Sequence, residues 1–429
     1  MAGKEAPFRR SAVSVLRLCL VSCLVQTCCC EKVLLLLSDD ALANSHSELV
    51  SVLSSGGMQV ETRRLTDSTL QLQHWSTWLY DGVVVLSKGS SDLGGALDSS
   101  WLVDFVDDGG SLFVATDEKP SASIREIAAQ FGADFVQQGA AVVDHVSHDA
   151  KLGPSSLLTE VMYPSSVMTG TPGLPVLYKG GALTTSADST LAIRALMPSP
   201  TAAVTSGDPR LDISGFDVSL AVGMQSRTNA RFCVVASLDV LSDQSFGARV
   251  THAATSKSSE TGNRAFGQSL LRWTMGLQGV LKHQNVHHHR TGEHLAPMHS
   301  TYTVNDNITM EVQVLERWGS DWVPHVSDSL VAQYTMLDPY VRQPMQHKGG
   351  GNYELTFRAP DVYGVFKYVV DYNRPGYSFL QFEELMPLRP LRHDQYPRFI
   401  LQAYPYYAAL LSISIGFFAT IAATMYTKS

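Results

Sequence analysis

The spacing of apolar and polar residues divides the chain into two parts with different periods. In the first part, short apolar runs without polar alternation are followed by helical spacing and Gly-rich breaks. Such runs are typical of strands buried on both faces of a parallel sheet. They lie at residues 33–37, 82–86, 111–116 and 230–237. This rhythm predicts an α/β domain over residues 31–281, with a mostly parallel sheet and right-handed crossovers.

The stretches between these runs predict the helices that would cover the sheet. Apolar residues at helical spacing occur at residues 44–54, 97–106, 124–131 and 262–277. Residues 70–79, which carry Trp75 and Trp78, are expected to form a helix or a turn.

The second part alternates strictly between apolar and polar residues. The alternating runs lie at residues 309–315, 330–336, 353–357 and 365–372, with Pro, Gly and Asn between them. This pattern predicts a small β-sandwich-like domain over residues 301–386. A His-rich linker at 282–300 is expected before it, and a polar, Pro-broken connector at 387–405 after it.

An uncharged apolar stretch near the end of the chain predicts one transmembrane helix at residues 406–426, followed by a short tail at 427–429. At about 1.5 Å per residue, this helix matches the hydrocarbon core of a bilayer, about 30 Å thick. Its Ser and Thr hydroxyls can bond back to the helix carbonyls. The alternative is a buried core helix, which would need partners on every side.

The beginning of the chain supplies the other half of the predicted topology. Arg9 and Arg10 precede an apolar run and then small residues, which is the order of a secretory signal peptide, assigned to residues 1–30. Arg17 interrupts the apolar run, so a retained signal anchor is the alternative. With a cleaved signal, the body would be lumenal and the protein a single-pass type I membrane protein.

Composition narrows the chemistry. The net charge is −8 and no basic stripe suits nucleic acid, so no nucleic-acid partner is expected. All cysteines except Cys233 fall within the predicted signal, which leaves the body without an internal disulfide. Asn307 begins the only Asn-x-Ser/Thr sequence and is a possible N-glycosylation site in a lumenal protein.

Few residues suggest catalysis or ligand binding, and each has a structural alternative. Asp39 and Asp40 follow the first strand, where open α/β sheets bind ligands, but capping and surface roles explain them as well. Cys233 is the only candidate thiol nucleophile. Because it lies in an apolar run, we interpret it as a small, buried hydrophobic residue.

Histidines and aromatic residues are the remaining candidates. A metal site could use residues of the His-rich segment, namely His287, His288, His289, Glu293 and His294, although consecutive histidines cannot all face one ion. A general base could be built from Asp144 with His145, or His148 with Asp149. The alternating aromatics fit core packing or a partner-binding face: Tyr363, Phe366, Tyr368, Tyr372 and Tyr377. No catalytic constellation emerges, and no cofactor or metal is expected.

Several collinear stretches resemble one family, the 48-kDa subunit of the oligosaccharyltransferase complex of the endoplasmic reticulum. They include VLLLLSDDALANSHSELVSVLSSGG, LYDGVVVLS with the following DLGG, FVDDGGSLFVA, SRTNARFCVVASLDVLSD, HHHRTGE, LDPYVR, APDVYGVFKYVVDYNRPGY and RPLRHDQYPRFILQAYPYYA. The resemblance spans nearly the whole chain after the predicted signal.

The resemblance implies a non-catalytic subunit, not an enzyme by itself, of a membrane enzyme. That enzyme transfers a preassembled glycan from dolichyl diphosphate to Asn in Asn-x-Ser/Thr of nascent polypeptides. The implied partners are a polytopic catalytic subunit, ribophorin I and II types, and the subunit called defender against cell death. The family also resembles class I glutamine amidotransferases in its α/β domain, but the nucleophile elbow with its Cys is not recognisable here.

Within that picture, the last helix is expected to pack against helices of other subunits in the membrane. Close approach would use its small residues, Gly416, Ala419, Ala422 and Ala423. Two alternatives stay open: a lumenal glycan-binding receptor using Asp39 and Asp40, and an amidotransferase-like hydrolase using Asp144, His145 or Cys233.

Overall fold

The computed structural model describes residues 31–94, 97–137, 139–186, 189–205, 213, 215–293, 301–396, 398 and 400–427. The predicted signal peptide, the metal candidate His294 and the end of the predicted tail lie outside these residues. The chain forms two compact units. The first unit runs to Lys282 and also contains Leu315–His325 and Asn373–Phe379, whereas the second contains His283–Val314, Val326–Tyr372 and the chain from Leu380 onward.

A seven-stranded sheet forms the centre of the first unit. In sheet order its strands are Ala192–Leu196, Ala221–Gln225, Arg231–Val235, Ser111–Thr116, Gly82–Ser87, Lys32–Leu37 and Gln59–Arg64. The last five of these pair in parallel, and the first two add antiparallel pairs at one edge. The prediction of a mixed α/β domain with a mostly parallel sheet is therefore confirmed.

Both faces of this sheet are covered, because successive residues of the apolar strands enter two different cores. Leu35 of the first strand packs in one cluster, and its neighbours Leu34 and Leu36 pack in the other. This two-sided burial explains why the strands lack polar alternation. The helices of the unit are Ala41–Ser45, Ser47–Ser55, Ser99–Asp107, Ala122–Gln130, Ser166–Thr169, Asp243–Phe246 and Asn263–Thr274, with a 3-10 turn at Asp239–Leu241.

Short antiparallel pairings complete the first unit. They involve Gln73–His74, Thr77–Trp78, Ala133–Phe135, Ala141–Val143, His148–Asp149, Gly153–Thr159, Val176–Tyr178, Leu183–Thr185, Ala203–Thr205, Arg249–Thr251 and Ser258–Glu260. The segment expected to be a helix or a turn at 70–79 is a hairpin, in which Gln73–His74 pairs with Thr77–Trp78. Its two central residues make a tight turn, so the turn alternative is closer to the structure.

A buried arginine joins distant segments of the first unit. The Arg231 guanidinium donates to the carbonyl oxygens of Trp273 at 2.6 Å, Gln278 at 2.7 Å and Gly279 at 2.8 Å. Burial lowers its pKa to about 9, which leaves it charged at neutral pH, and the nearby Glu316 carboxylate opposes that shift. A fully buried cation is tolerated because its donors are hydrogen-bonded.

The two downstream segments attach to the first unit through hydrogen bonds. Trp273 Nε1 donates to the Gly376 carbonyl at 2.9 Å, and Gln225 Nε2 donates to the Tyr377 carbonyl at 2.9 Å. Arg317 pairs with both carboxylate oxygens of Glu31 at 2.6 and 2.8 Å. The first unit is thus assembled from three separate parts of the sequence.

Most residues of the second unit lie in two further five-stranded sheets. One consists of Gln278–Arg290, Asn307–Trp318, Asn352–Arg358 and Gln346–Gly349. Its fifth strand, Asp321–Pro324, pairs with the end of Asn307–Trp318, and this pairing lies within the first unit. The other consists of Tyr302–Thr303, Leu380–Arg389, Gly364–Tyr372, Val331–Thr335 and Pro339–Pro344. Aromatic rings meet between the sheets: Phe357 lies 5.0 Å from Tyr334 and 6.2 Å from Tyr368, centroid to centroid. This arrangement is the sandwich that the alternating pattern predicts.

The structure has a strand where the sequence predicts the start of a linker. Gln278–Arg290 pairs with Asn307–Trp318, and its histidines pack as ordinary strand side chains. The His283 ring stacks on Phe382 with centroids 4.6 Å apart. The linker prediction is therefore wrong up to Arg290, because polar histidines can occupy half-buried strand positions. Similarly, the strand Leu380–Arg389 continues past the predicted domain end at residue 386.

Among the described residues, one helix is long and apolar enough to span a membrane, within Leu401–Tyr426. Its α-helical part is Tyr404–Tyr426, preceded by 3-10 turns at His393–Gln395 and Leu401–Ala403. None of its residues is buried, so it is not a core helix. As expected, its hydroxyls bond to its own carbonyls, for example Ser412 to Ala409 and Thr420 to Gly416, both at 2.8 Å.

Candidate functional site

The carboxyl edge of the parallel sheet holds a cavity of about 330 Å³. Loops meet there because parallel strands all end at the same edge, which is where open α/β sheets bind ligands. The charged side chains that line the cavity are Lys88, Asp117, Glu118, Lys119, Lys179 and Asp239. Lysines and carboxylates are equal in number, so the cavity has no excess charge of either sign.

Electrostatics in this cavity follow from partial burial. The pKa of Asp117 is raised because burial disfavours its charged form and the Asp239 carboxylate lies nearby. Tyr178, which is fully buried beside the cavity, donates to the Gly181 carbonyl at 2.7 Å, and burial raises its pKa well above the ordinary value. Among the described residues, neither a thiol nor an imidazole lines the cavity, and its ammonium and carboxylate groups can bind polar groups.

Sequence reasoning missed this cavity, although a signal was available. Lys88 and Asp117 come directly after the strands Gly82–Ser87 and Ser111–Thr116. Recording the polar residue that follows each apolar run would have found both. Lys179 and Asp239 come from later loops, and only the fold brings them to the same edge.

Asp39 and Asp40 do not line this cavity. Asp40 forms an exposed ion pair with Arg64, and the hydrogen bond from Arg64 lowers the pKa of that carboxyl. Asp39 Oδ1 accepts a hydrogen bond from the Ala41 amide at 3.3 Å, at the start of a short helix. These contacts fit the interpretation of both residues as surface acids. Asp40 is the N-cap residue of that helix, but its side chain makes no capping hydrogen bond, so side-chain capping fits only Asp39.

Cys233 lies in the middle of a central strand and is fully buried. Burial raises the pKa of its thiol, an effect that a hydrogen bond with Thr274 reduces only in part. A thiol that stays protonated and has no access to solvent cannot act as a nucleophile. The interpretation of Cys233 as a small hydrophobe agrees with this geometry.

The Asp144 carboxylate accepts hydrogen bonds from the surrounding loops, and it does not serve as a general base with His145. Burial alone would raise the pKa of Asp144, but the hydrogen bonds to its carboxylate outweigh burial and lower it. The donors are Val146 N at 2.8 Å, Ser147 N at 3.0 Å, Thr201 Oγ1 at 3.0 Å and Ser199 Oγ. Asp149 is used similarly, accepting from the Thr251 amide at 2.7 Å and the Leu152 amide at 3.2 Å.

His287, His288 and His289 lie in the strand Gln278–Arg290, and Glu293 follows its end. His288 Nδ1 lies 2.7 Å from the Tyr302 hydroxyl, and the rings of His287 and His289 lie 5.6 Å apart. Among the described residues, no group of three or more His, Cys, Asp or Glu is arranged to hold a metal ion.

The alternating aromatics are mostly core residues. Phe366, Tyr368 and Tyr372 are buried, and the Phe366 ring stacks on Tyr334 with centroids 4.7 Å apart. Tyr377 is partly buried and packs on the core of the first unit. Tyr363 differs, with 66% of its surface exposed, and is the one member of the set that is available to a partner.

The possible glycosylation site lies at the start of a long strand. Asn307 is exposed, whereas the Thr309 side chain is buried. The Thr309 hydroxyl lies 3.0 Å from both the Thr291 and Thr356 hydroxyls. A glycosylating enzyme that recognises Thr309 as part of the Asn-x-Thr sequence could reach it only before the strand has paired.

The helix Tyr404–Tyr426 presents its small residues on one face. Gly416, Ala419 and Ala423 follow one another at spacings of three and four, which places them on the same side. Ala422 lies three residues after Ala419 and flanks that face. Apart from the backbone of its own helix, a Cβ added to Gly416 would meet nothing within 4 Å among the described residues, so the face is open.

Two family models match the chain over most of its length. The model of the OST48 N-terminal domain matches residues 27–277, and that of the OST48 middle domain matches residues 287–428. The curated relatives are dolichyl-diphosphooligosaccharide–protein glycosyltransferase 48 kDa subunits. The one from Arabidopsis thaliana is 34% identical over 93% of this chain and 93% of its own length. Those from Danio rerio and Caenorhabditis elegans are 33% and 32% identical over 90% of this chain, and over 90% and 89% of their own lengths.

Solved structures are much less similar. The carbohydrate deacetylase Agd3 and a ThuA-like protein from Parabacteroides merdae each share 14% identity with this chain at a TM-score of 0.29. The matches cover 64% and 57% of this chain, and 34% and 90% of those chains, and they are too distant to support an argument. The two family models and the full-length relatives establish the family: the chain belongs to the family of the 48 kDa subunit of dolichyl-diphosphooligosaccharide–protein glycosyltransferase.

Proposed function

We propose that this protein is a non-catalytic assembly subunit of the oligosaccharyltransferase complex. That complex transfers a preassembled glycan from dolichyl diphosphate to Asn in Asn-x-Ser/Thr of nascent polypeptides. The observation that carries the proposal, beyond the family itself, is the helix Tyr404–Tyr426, which is uncharged and has no buried residue. Such a helix is long and apolar enough to cross a bilayer, and there it could pack against helices of other subunits.

The proposed location is the membrane of the endoplasmic reticulum, with a single type I span and the bulk of the chain in the lumen. A signal peptide at residues 1–30 would direct the body across the membrane before the last helix is made. The proposed partners are the polytopic catalytic subunit, subunits of the ribophorin I and II types, and the defender against cell death. The lipid bilayer itself is the remaining partner.

The state of the polar candidates supports a role without catalysis. A hydrolase would need an accessible nucleophile, but the Cys233 thiol is buried in a strand. Asp144 is fully occupied by its loop donors, and Asp40 is paired with Arg64. These contacts disfavour the amidotransferase-like hydrolase, and equally a glycan-binding receptor that relies on Asp39 and Asp40. We infer only that the first unit shares its parallel-sheet arrangement with the glutamine amidotransferases.

The test is a mild-detergent pull-down of the tagged full-length chain from microsomes. The eluate is identified by mass spectrometry and assayed for glycan transfer to an Asn-x-Thr peptide. We expect a polytopic glycosyltransferase and transfer activity in the eluate, and no activity in the isolated body that ends before the helix. A lone monodisperse protein, or activity in the isolated body, would overturn the proposal.

A further inference from the structure

A tryptophan stands at the tip of a tight hairpin in the first unit. The hairpin pairs Gln73–His74 with Thr77–Trp78, and its two turn residues are Trp75 and Ser76. Both have positive φ, at 50° and 61°. Turns of this kind strongly favour Asn-Gly, and a bulky aromatic residue rarely adopts the conformation. Despite this, the Trp75 side chain is 89% exposed, so burial in the core does not compensate for the strained backbone.

The hairpin is firmly attached to the unit below it. Leu70 and Leu72, which lead into it, are buried in the core. Trp78 Nε1 donates to the Asp108 carboxylate at 2.9 Å, and its ring meets Phe105 edge-on with centroids 5.2 Å apart. Trp75 is therefore held out by a fixed support. Backbone strain that persists on a rigid support is typical of binding and catalytic sites.

A groove of about 370 Å³ lies beneath the exposed ring. It is lined by Gln71, Gln73, His74, Trp75 and Trp101, together with the leucines that lead into the hairpin. Trp101 is itself 44% exposed. The volume is within the range of small-molecule sites, about 300–1,000 Å³. The lining combines two large aromatic rings with two amides and contains no Asp, Glu, Lys or Arg.

We propose that this groove binds a neutral oligosaccharide. Sugar rings have apolar faces, which can stack on the rings of Trp75 and Trp101. Their hydroxyls are both donors and acceptors, as are the side-chain amides of Gln71 and Gln73. A charged ligand would call for an opposite charge in the lining, and a docked membrane surface would call for flanking lysine or arginine. The cavity at the sheet edge, with its six charged side chains, is the contrasting case.

This site does not depend on the proposed role in assembly, because all of its residues belong to the first unit. Its test is calorimetric titration of the full-length chain in detergent micelles with mannohexaose, chitohexaose and maltohexaose. We expect at least one of these sugars to bind. The decisive variant is Trp75→Asn with Ser76→Gly, which removes the ring and supplies the sequence that the turn favours.

For this double variant we expect binding about tenfold weaker or worse, since a stacking face is lost. Its thermal midpoint should be unchanged or higher because the strain is relieved. Trp75→Phe, which keeps an aromatic face, should lose less affinity. Trp318→Ala, which removes another Trp of the first unit that is 54% exposed, should leave affinity unchanged.

Two results would overturn the proposal. One is no heat of binding with any of the three sugars at millimolar concentration. The other is binding that the double variant retains in full. Either result would leave co-purification with other subunits unaffected, so failure here is distinguishable from failure of the assembly proposal.

Discussion

The strand Arg231–Val235 and the helix Tyr404–Tyr426 place their side chains in opposite surroundings. The strand is fully buried. It begins with Arg231, whose charged guanidinium donates hydrogen bonds to three backbone carbonyls of the same chain. The helix is apolar, and none of its residues is covered by this chain. The first unit therefore pairs its buried guanidinium internally, whereas under the proposed function the helix would be covered by a bilayer and by other subunits. This difference separates changes that should unfold the protein from changes that should only release its partners.

The largest expected effect comes from ending the chain at Lys282. This truncation removes Leu315–His325 and Asn373–Phe379, which belong to the first unit. It leaves the Trp273 indole and the Glu31 carboxylate without their partners. We expect a chain of residues 31–282 to be aggregated or rapidly cleaved by trypsin.

The matched control is a chain that ends at Ala403, just before the helix. It keeps all three parts of the first unit, so it should give a protease-resistant body with a cooperative thermal transition. If residues 31–282 were equally resistant, the first unit would be a contiguous domain. It would then not need Leu315–His325 or Asn373–Phe379 in order to fold.

The next effect in size is that of Arg231→Met. It removes the hydrogen bonds of the charged guanidinium to the buried carbonyls of Trp273, Gln278 and Gly279, and a hydrogen bond to a charged group is worth about 1.5–3 kcal/mol. The Trp273 and Gly279 carbonyls keep the amides of Gly276 and Ser378 as donors. We expect the free energy of unfolding of the body ending at Ala403 to fall by about 3 kcal/mol or more. Thermal circular dichroism measures this change. Arg227→Met, at an exposed position before the same strand, should have almost no effect, and equal shifts for the two variants would argue against the role of Arg231.

These two predictions also show where sequence reasoning succeeds and fails. The apolar runs at 33–37, 82–86 and 111–116 identified buried parallel strands, because burial on both faces leaves a signal in composition alone. Arg231 opens another such run, and nothing near it in sequence reveals that its partners are the carbonyls of a helix end and the following loop. Those partners lie 42 to 48 residues away, so they depend on the tertiary fold.

The candidate sites show the same contrast between features that neighbouring residues determine and features that depend on the tertiary fold. Cys233 and the helix Tyr404–Tyr426 could be interpreted from their neighbours in sequence. The strand Gln278–Arg290 could not, because its histidines resemble a linker until the pairing strand is known. The groove below Trp75 was also missed, since its lining brings Trp101 of a later helix to the hairpin.

A smaller effect is expected from Asp144→Asn. The amide cannot accept hydrogen bonds as the carboxylate does from Ser199, Thr201 and the loop amides. We expect a loss of about 2 kcal/mol at neutral pH, measured as the difference between the two unfolding free energies.

The pH dependence follows from the lowered pKa of Asp144. Its stabilising contribution is fully present above the ordinary value of 3.8 and is lost as the pH falls through the lower folded value. The gap between wild type and Asp144→Asn should therefore be constant from pH 5 to 8 and should shrink only below about pH 4. A gap that already shrinks near pH 6 would point to another group.

The smallest effect on free energy, and none on folding, is expected from Gly416→Leu combined with Ala419→Leu. Both positions are open on this chain, so added side chains cannot disturb the first unit. If the small face packs against a partner helix, they would prevent close approach and weaken it by about 1 kcal/mol. Recovery of the other subunits in the pull-down should fall several-fold, while the thermal midpoint of the body stays the same.

Phe418→Leu is the matched control for the helix, because position 418 lies away from the small face. It changes an exposed side chain of the same segment and should leave recovery intact. Loss of partners with both variants would mean that the helix binds through its general bulk, and unchanged recovery with both would mean that the complex is held by the other parts of the chain. Only selective loss with the Gly416 and Ala419 variant would show that the face left uncovered by this chain is covered by another.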